Sequence, residues 1–286
     1  MLKIVPPPIF RHAGELSPRF DTHDPRDEAF AEDEIIVDLR ECEFIYPAAA
    51  LWCVTFLSLV RLRGSACRLL VPKNMGVCVH LKSIDVFDHL LELGVNVDTQ
   101  GIPERDPGNT VLPVTRFETT NDAENLVNRT FDSLQAGNFA AGNLTQIVTE
   151  LFAELALNAA QHSESPVGSF ACVQFYEYET GSRFTCTVAD GGIGILASLH
   201  RNPVLRNRVF YDWDALSLAI RERISGTGDP HRGIGLYGVS EDVRAPGRAL
   251  LIHSGLGSLE IREDLETDAR RTRLFPGTLV TLRIPA

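Results

Sequence analysis

Hydrophobic and polar positions follow two different rhythms along this chain. Ile35-Ile-Val-Asp-Leu and Ala66-Cys-Arg-Leu-Leu-Val are short apolar runs that predict buried strands, while Ala48 to Arg63 and Lys82 to Leu93 predict helices. Strand, helix, strand, helix is the order of a small α/β layer, assigned to residues 34–100. Ahead of it, residues 1–33 carry Pro6, Pro7, Pro8, Pro18 and Pro25, which predicts an extension with little regular structure. Behind it, Gly101-Ile-Pro-Glu-Arg-Asp-Pro-Gly-Asn has the punctuation of a linker, placed at residues 101–115.

The second rhythm occupies residues 116–286. From Asn143 to His162 the apolar residues Leu144, Ile147, Val148, Leu151, Phe152 and Leu155 recur at the spacing of one helix face. Phe170 to Glu177 and Arg183 to Ala189 alternate like paired strands. Asp212 to Arg223 and Leu236 to Val243 predict helices, and 249–254, 258–262 and 278–284 predict closing strands. Helices followed by a mostly antiparallel sheet define an α+β two-layer sandwich.

A length of 286 residues accommodates about two such domains. The net charge of −11 is spread over both halves, with 11 Lys+Arg against 17 Asp+Glu up to Pro113, so phosphate backbones are repelled and no nucleic-acid partner is expected. Lysine occurs only at Lys3, Lys73 and Lys82, which excludes a GxxxxGK[ST] phosphate loop later in the chain. The six cysteines form no CxxC pair and sit among apolar neighbours, as small buried hydrophobes of a reducing compartment do. The uncharged stretch Phe44 to Val60 is interrupted by Pro47 and predicts a core helix rather than a membrane span. Met1-Leu-Lys-Ile-Val-Pro-Pro-Pro lacks the apolar centre of a signal peptide, so a cytoplasmic location is expected.

Candidate chemistry begins in the long helix. At about 100° per residue, Glu154, Asn158 and His162 fall within about 60° of Leu151, on or beside the apolar face. They are either the solvated edge of an amphipathic helix or a carboxylate and an amide aimed together into a ligand cavity. Asp190-Gly-Gly-Ile-Gly follows a predicted strand; it is either a tight turn or a place where backbone approaches a flat ligand while the carboxylate accepts from an amine. Arg232-Gly-Ile-Gly-Leu-Tyr-Gly runs straight into a predicted helix, the arrangement that makes an anion site from free backbone N–H groups. Gly277-Thr278 opens the last strand.

In order and spacing, Glu154-x3-Asn158-Ala-x2-His162, Asp190-x-Gly192-x-Gly194, Gly233-x-Gly235-x2-Gly238 and Gly277-Thr278 resemble the four boxes of the GHKL, or histidine-kinase-like, ATPases, whose members include gyrase, the heat-shock chaperone and the anti-sigma kinases. The resemblance spans roughly residues 115–286 and implies an ATP site with Mg²⁺. It makes Glu154 the general base, Asn158 the Mg²⁺ ligand and Asp190 the reader of the adenine amine. Gly192 and Gly194 admit the base, residues 196–238 form a lid, Gly233, Gly235 and Gly238 meet the triphosphate, and Thr278 lies near the adenine. His162 either belongs to the site or packs at the helix end, and Arg232 either touches the γ-phosphate or is an exposed lid arginine. Separately, residues 34–97, through Ile35-Ile-Val-Asp-Leu-Arg-Glu-Cys-Glu-Phe-Ile-Tyr-Pro-Ala-Ala-Ala-Leu, resemble the start of a STAS domain, the fold of anti-sigma antagonists. Where that family carries a phosphorylatable Ser or Thr, this chain has Tyr46-Pro47-Ala48-Ala49, which implies docking rather than phosphate acceptance. No paired helices with a His-Glu/Asp box precede the ATPase-like region; His89 is the nearest candidate. The resemblance thus implies a serine/threonine kinase acting on a separate STAS-type antagonist or sigma-factor-like regulator, with an ATP-gated interaction switch or an ATPase as alternatives, and homodimers as in many relatives.

Overall fold

The structure, a computed structural model, describes all residues except 105–107, 109, 138, 140–142, 180, 222–234 and 264, and of 265–268 the backbone alone. It is a mixed α/β fold with a four-stranded parallel sheet and a five-stranded antiparallel sheet. The N-terminal extension is more ordered than its prolines predict. Strand β1 (Leu2–Ile4) joins the parallel sheet and β2 (Ile9–Phe10) pairs with a later short strand. Two 3-10 turns follow, at Ala13–Glu15 and Pro18–Thr22.

Next come β3 (Glu34–Asp38), β4 (Phe44–Ile45), α1 (Pro47–Leu62) and β5 (Ala66–Leu70). The single helix expected over 82–93 is two helices, α2 (Met75–Ser83) and α3 (Val86–Glu92), separated where Asp85 takes a left-handed φ of 62°. After β6 (Asn96–Val97) the parallel sheet is complete in the order β1-β3-β5-β6. The stretch expected as linker ends in a strand, β7 (Thr110–Phe117), at the edge of the antiparallel sheet.

No element is expected from periodicity over 118–142, yet α4 (Thr120–Ala136) forms there, started by a capping box in which Thr119 and Asp122 satisfy each other's backbone N–H. Then come α5 (Leu144–His162), β8 (Ser169–Tyr178), β9 (Gly181–Asp190), α6 (Gly194–Leu199), α7 (Pro203–Arg206), α8 (Asp212–Ala219) and α9 (Gly235–Asp242). The expected pair of strands 249–254 and 258–262 is one bulged strand, β10 (Ala249–Arg262), and the last, β11 (Leu265–Pro285), is longer than its apolar portion. The antiparallel sheet has the order β10-β11-β9-β8-β7, putting β9 at its centre.

Both faces of that sheet are apolar, because successive side chains of a strand point to opposite sides. Ala171, Val173, Phe175, Phe184, Cys186 and Val188 join the core formed with α4 and α5. Phe170, Cys172, Ala189, Phe275 and Leu279 face the other way, into a core built around α1. Residues 116–286 by themselves stack helices on one face of the antiparallel sheet, and the α/β unit sits on the sheet face opposite α5, so that helices, antiparallel sheet, α1 and parallel sheet follow one another in layers. This arrangement explains the uncharged stretch. A helix apolar all round is one that is covered all round, and every residue from Pro47 to Val60 is buried between the two sheets. Among the described residues no helix is long and apolar enough to cross a membrane. All six cysteines are free and buried, and burial pushes the Cys67 and Cys172 thiols up to about 11 and about 12, away from thiolate chemistry.

Candidate functional site

The site is organised by the end of the central strand. In the ladder Asp190 stands opposite Ser169 on one side and Thr278 on the other. Beyond it the backbone turns sharply, and the N–H groups of Gly191, Gly192, Ile193 and Ile195 each have a partner. Asp190 Oδ1 accepts the Gly192 N–H at 2.9 Å, Ser165 Oγ accepts the Gly191 N–H at 3.1 Å, and the Ser163 carbonyl accepts the Ile193 N–H at 2.9 Å. Ser254 Oγ accepts the Ile195 N–H at 2.9 Å and donates to the Gly277 carbonyl at 3.0 Å, with Thr278 Oγ1 3.2 Å away.

Two glycines are dictated by this crowding. A Cβ at Gly192 would overlap the Ser163 carbonyl, and one at Gly277, where φ is +129°, would overlap the carbonyl of Asp190. The chain end of α5, the turn after β9 and the start of the last strand segment are thereby held in contact. Asp190 itself is buried, and loss of hydration pushes its carboxyl up to about 6, against the opposing pull of N–H donors at Gly192 and Thr278 and of the Arg26 charge.

Glu154, Asn158 and His162 lie one turn apart on α5, as their spacing requires. Glu154 is exposed, at the solvated edge that was one of its two readings: the buried stripe runs through Val148, Leu151, Phe152, Leu155 and Ala159, and Glu154 falls beside it. Asn158 and His162 are half-buried. Opposite them α9 begins. A Cβ at Gly235 would come 2.5 Å from Glu154 Oε2 and 3.4 Å from Asn158 Nδ2, so the glycine allows the start of this helix to close on both side chains. Gly238, one turn on, has nothing among the described residues within 4 Å of the equivalent position. Gly238→Ala is accordingly expected to keep or raise stability, by up to about 1 kcal/mol, as an Ala-for-Gly exchange inside a helix does; thermal melts of the two proteins test this, and a lower melting temperature would refute the open setting.

Arg232 and Gly233 lie outside the described residues. Within the described part of 196–238, expected as a lid, α8 packs on β10 with Ala215 and Leu216 buried, and Asp212 accepts the Leu256 N–H at 2.9 Å. An apolar face holds α8 to the sheet. His89 is half-buried beside Phe170, its Nε2 2.7 Å from the Val114 carbonyl.

The four segments thus meet in two pairs, Gly235 with Glu154 and Asn158, and Asp190-Gly-Gly with Gly277-Thr278, joined through α5, whose end at Ser163 bonds the Asp190-Gly-Gly turn. Sequence reasoning missed Ser163, Ser165 and Ser254, whose hydroxyls or carbonyls lock the turn, and Arg26, whose Nη1 donates to the Gly192 carbonyl at 2.8 Å. The pair Ser163-x-Ser165 directly after the helix was a visible signal of a capped turn; Arg26, 166 residues away from its partner, left none. No protein-family model matches the chain, and no curated protein matches its sequence.

Proposed function

We propose that the chain is a cytoplasmic Mg²⁺-ATP-binding regulatory protein of the histidine-kinase-like ATPase class, phosphorylating a serine or threonine of a separate partner of the STAS-antagonist or sigma-factor-like kind. One observation carries the reading: the start of α9 at Gly235 closes on Glu154 and Asn158 while the same helix α5 ends in contact with the Asp190-Gly-Gly turn. A carboxylate, an amide oxygen, a helix start and a strand-terminal aspartate then bound one region. The donor set suits the ligand. Asn158 offers a single amide oxygen, and among the described residues no cluster of three or more His, Cys, Asp or Glu stands ready for a metal, so Asn158 fits an ion that arrives with phosphates and water.

In this reading Asp190 accepts from the adenine amine; the expectation that Gly192 and Gly194 themselves admit the base is corrected, because their missing side chains make room for the Ser163 carbonyl and the Ser254 hydroxyl, which close the turn. Thr278 lies beside the base. Bound Mg²⁺ offsets phosphate charge. Glu154, exposed at the edge of α5, takes the proton of the partner's hydroxyl as its oxygen bonds to the γ-phosphorus and the bond to the ADP oxygen breaks. An ATP-gated switch without turnover has one observation in its favour. The start of α1, Pro47 to Ala50, is buried and carries no serine or threonine hydroxyl, so the α/β unit offers no acceptor of its own there.

Single-turnover incubation with Mg²⁺ and γ-labelled ATP, beside calorimetry, tests the reading. Wild type is expected to bind Mg²⁺-ATP. Glu154→Ala is expected to keep that affinity within about three-fold and to lose about 100-fold or more in release or transfer of the label, the usual contribution of a positioned base. Absence of Mg²⁺-ATP binding by wild type overturns the reading; binding with equal label turnover in both proteins removes Glu154 from its role, and binding with no turnover in either is the result for an ATP-gated switch or a kinase without its substrate, which repeating the incubation with a STAS-type acceptor protein separates.

A further inference from the structure

The N-terminal segment 20–26 reaches both backbone loops that form the proposed adenine pocket. Phe20 anchors it: the ring is buried edge-on against Trp52 and Phe56 of α1, with centroids 5.6 and 5.0 Å apart. Asp21 follows, accepting the Leu274 N–H at 3.1 Å and pairing with Arg273 at 3.2 Å, just ahead of Gly277-Thr278. Arg26 completes the span at the Asp190-Gly-Gly turn.

The guanidinium of Arg26 is held as a planar fork. Its Nε lies 3.0 and 3.1 Å from the two carboxylate oxygens of Asp24, its Nη2 lies 2.6 Å from Oδ2, and the Arg26 backbone N–H also donates to Asp24 at 2.9 Å. A fork oriented on one side by a carboxylate has its remaining N–H groups aimed in a defined direction. Here Nη1 meets the Gly192 carbonyl at 2.8 Å. The N–H of that same peptide unit, on Ile193, is bound by the Ser163 carbonyl. One peptide plane is therefore gripped at both ends, from α5 and from the extension, at a residue that has no side chain to fix its rotation. Behind it, a Cβ at Gly191 would lie only 3.0 Å from Leu59 of α1, so the turn rests on the α/β unit as well. A cavity of about 590 Å³, lined by Arg26, Leu59, Arg63, Glu164 and Gly192, borders this rear side, and neither Glu154 nor Asn158 lines it.

We infer that Arg26, oriented by Asp24, is a positioning residue for the nucleotide base: it holds the Gly192–Ile193 peptide in the orientation that leaves the pocket open to adenine, so that the N-terminal extension is a working part of the ATP site. The inference rests on the ATP reading given above. It makes the base, and not the phosphates, sensitive to residue 26, because the fork bonds the turn that follows Asp190, while neither Glu154 nor Asn158 lines the cavity that Arg26 borders.

The experiment is calorimetric binding of ATP and of adenosine to the full chain and to Arg26→Ala, at a temperature where melting curves show both folded. Loss of a charge-assisted hydrogen bond that fixes the pocket is expected to weaken both ligands by about ten- to a hundred-fold, and by the same factor, since adenosine has the base without the phosphates. If Arg26→Ala does not fold, Arg26→Lys takes its place; a lone ammonium cannot serve the Asp24 fork and the Gly192 carbonyl together, and a loss of about three-fold or more, again equal for the two ligands, is expected. Wild type and variant binding both ligands equally well overturns the inference and leaves the ATP reading standing. So does a loss for ATP that adenosine does not share. A wild-type chain that binds neither ligand overturns the ATP reading, and this inference with it.

Discussion

Asp190→Asn is expected to make the protein more stable at neutral pH while removing most of its affinity for ATP. The carboxyl is buried and pushed up to about 6 from an ordinary 3.8, chiefly by lost hydration. A folded-state value above the unfolded one means that the folded chain holds the proton more tightly. The stability that comes with that proton is fully present below about 3.8 and is lost as pH rises through about 6. Above that window, holding the ionised group in the core costs about 3 kcal/mol, and asparagine, which carries no charge, escapes it. A gain of about 5 to 10 °C in melting temperature is expected at pH 7.5, shrinking to about half at pH 5. A lower melting temperature for the variant at pH 7.5 would mean that the bonds from Gly192 and Thr278 outweigh the burial of charge.

The loss of ATP follows from the geometry of the same bond. The oxygen of asparagine stays with the Gly192 N–H, which Asp190 Oδ1 already holds at 2.9 Å, and the new NH₂ group then faces the amine of adenine, donor against donor. Affinity is expected to fall by about 100-fold or more, the penalty for an unpaired buried polar group together with the lost bond. In wild type, ATP affinity is expected to decline as pH drops below about 6, as the carboxylate takes up its proton. Calorimetry across pH 5 to 8 checks both statements, and undiminished ATP binding by the variant would remove Asp190 from the adenine site.

Gly277→Ala carries the second large effect, and here the cause is steric. At φ +129° an L side chain is strained by about 1 to 3 kcal/mol wherever it sits, and at this position the new Cβ would also run into the carbonyl of Asp190 on the paired strand. Backbone cannot move aside as a flexible side chain can, so the start of the last strand and the end of β9 must part, and Ser254 loses its acceptor geometry at the Gly277 carbonyl. A loss of about 3 kcal/mol or more is expected, with disappearance of nucleotide binding. Gly64→Ala is the control. Gly64 has φ +83° and open space around it, so it feels the dihedral penalty alone, about 1 kcal/mol. Urea unfolding of the two variants separates the causes: equal losses would show that the clash with Asp190 is relieved at little cost.

Much of this site was legible in sequence because each of its parts is local. The helical repeat that stacks Glu154, Asn158 and His162 is a property of twenty neighbouring residues, and α5 forms at Leu144–His162 as the repeat demands. The Asp190-Gly-Gly turn after a strand and the glycines before α9 are equally local, and their strand and helix formed where expected. Elsewhere the reading failed. The capping pair Thr119 and Asp122 and the stripe Ala123, Leu126 and Leu134 behind it marked α4 and went unread, whereas the left-handed Asp85 that splits α2 from α3 carries no glycine to announce it. Whether Glu154 is buried or solvated stayed open in the sequence because a 60° margin on a helical wheel spans the boundary between core and solvent, and only the neighbouring elements decide on which side a residue falls.

The alternation of strand and helix over 34–93, the helix that carries Glu154 and Asn158, the uncharged character of α1, and the chemical types at each candidate position were determined by the sequence alone, since periodicity, turn chemistry and side-chain identity are carried by short windows. Tertiary structure alone decided that α1 is wedged between two sheets, that the antiparallel sheet is covered on both faces, and that Ser163, Ser254 and Arg26 grip the turn beside Asp190. Those contacts join residues up to 166 positions apart, and a contact of that kind is set by how finished elements pack, a matter of shape and burial that no local pattern encodes.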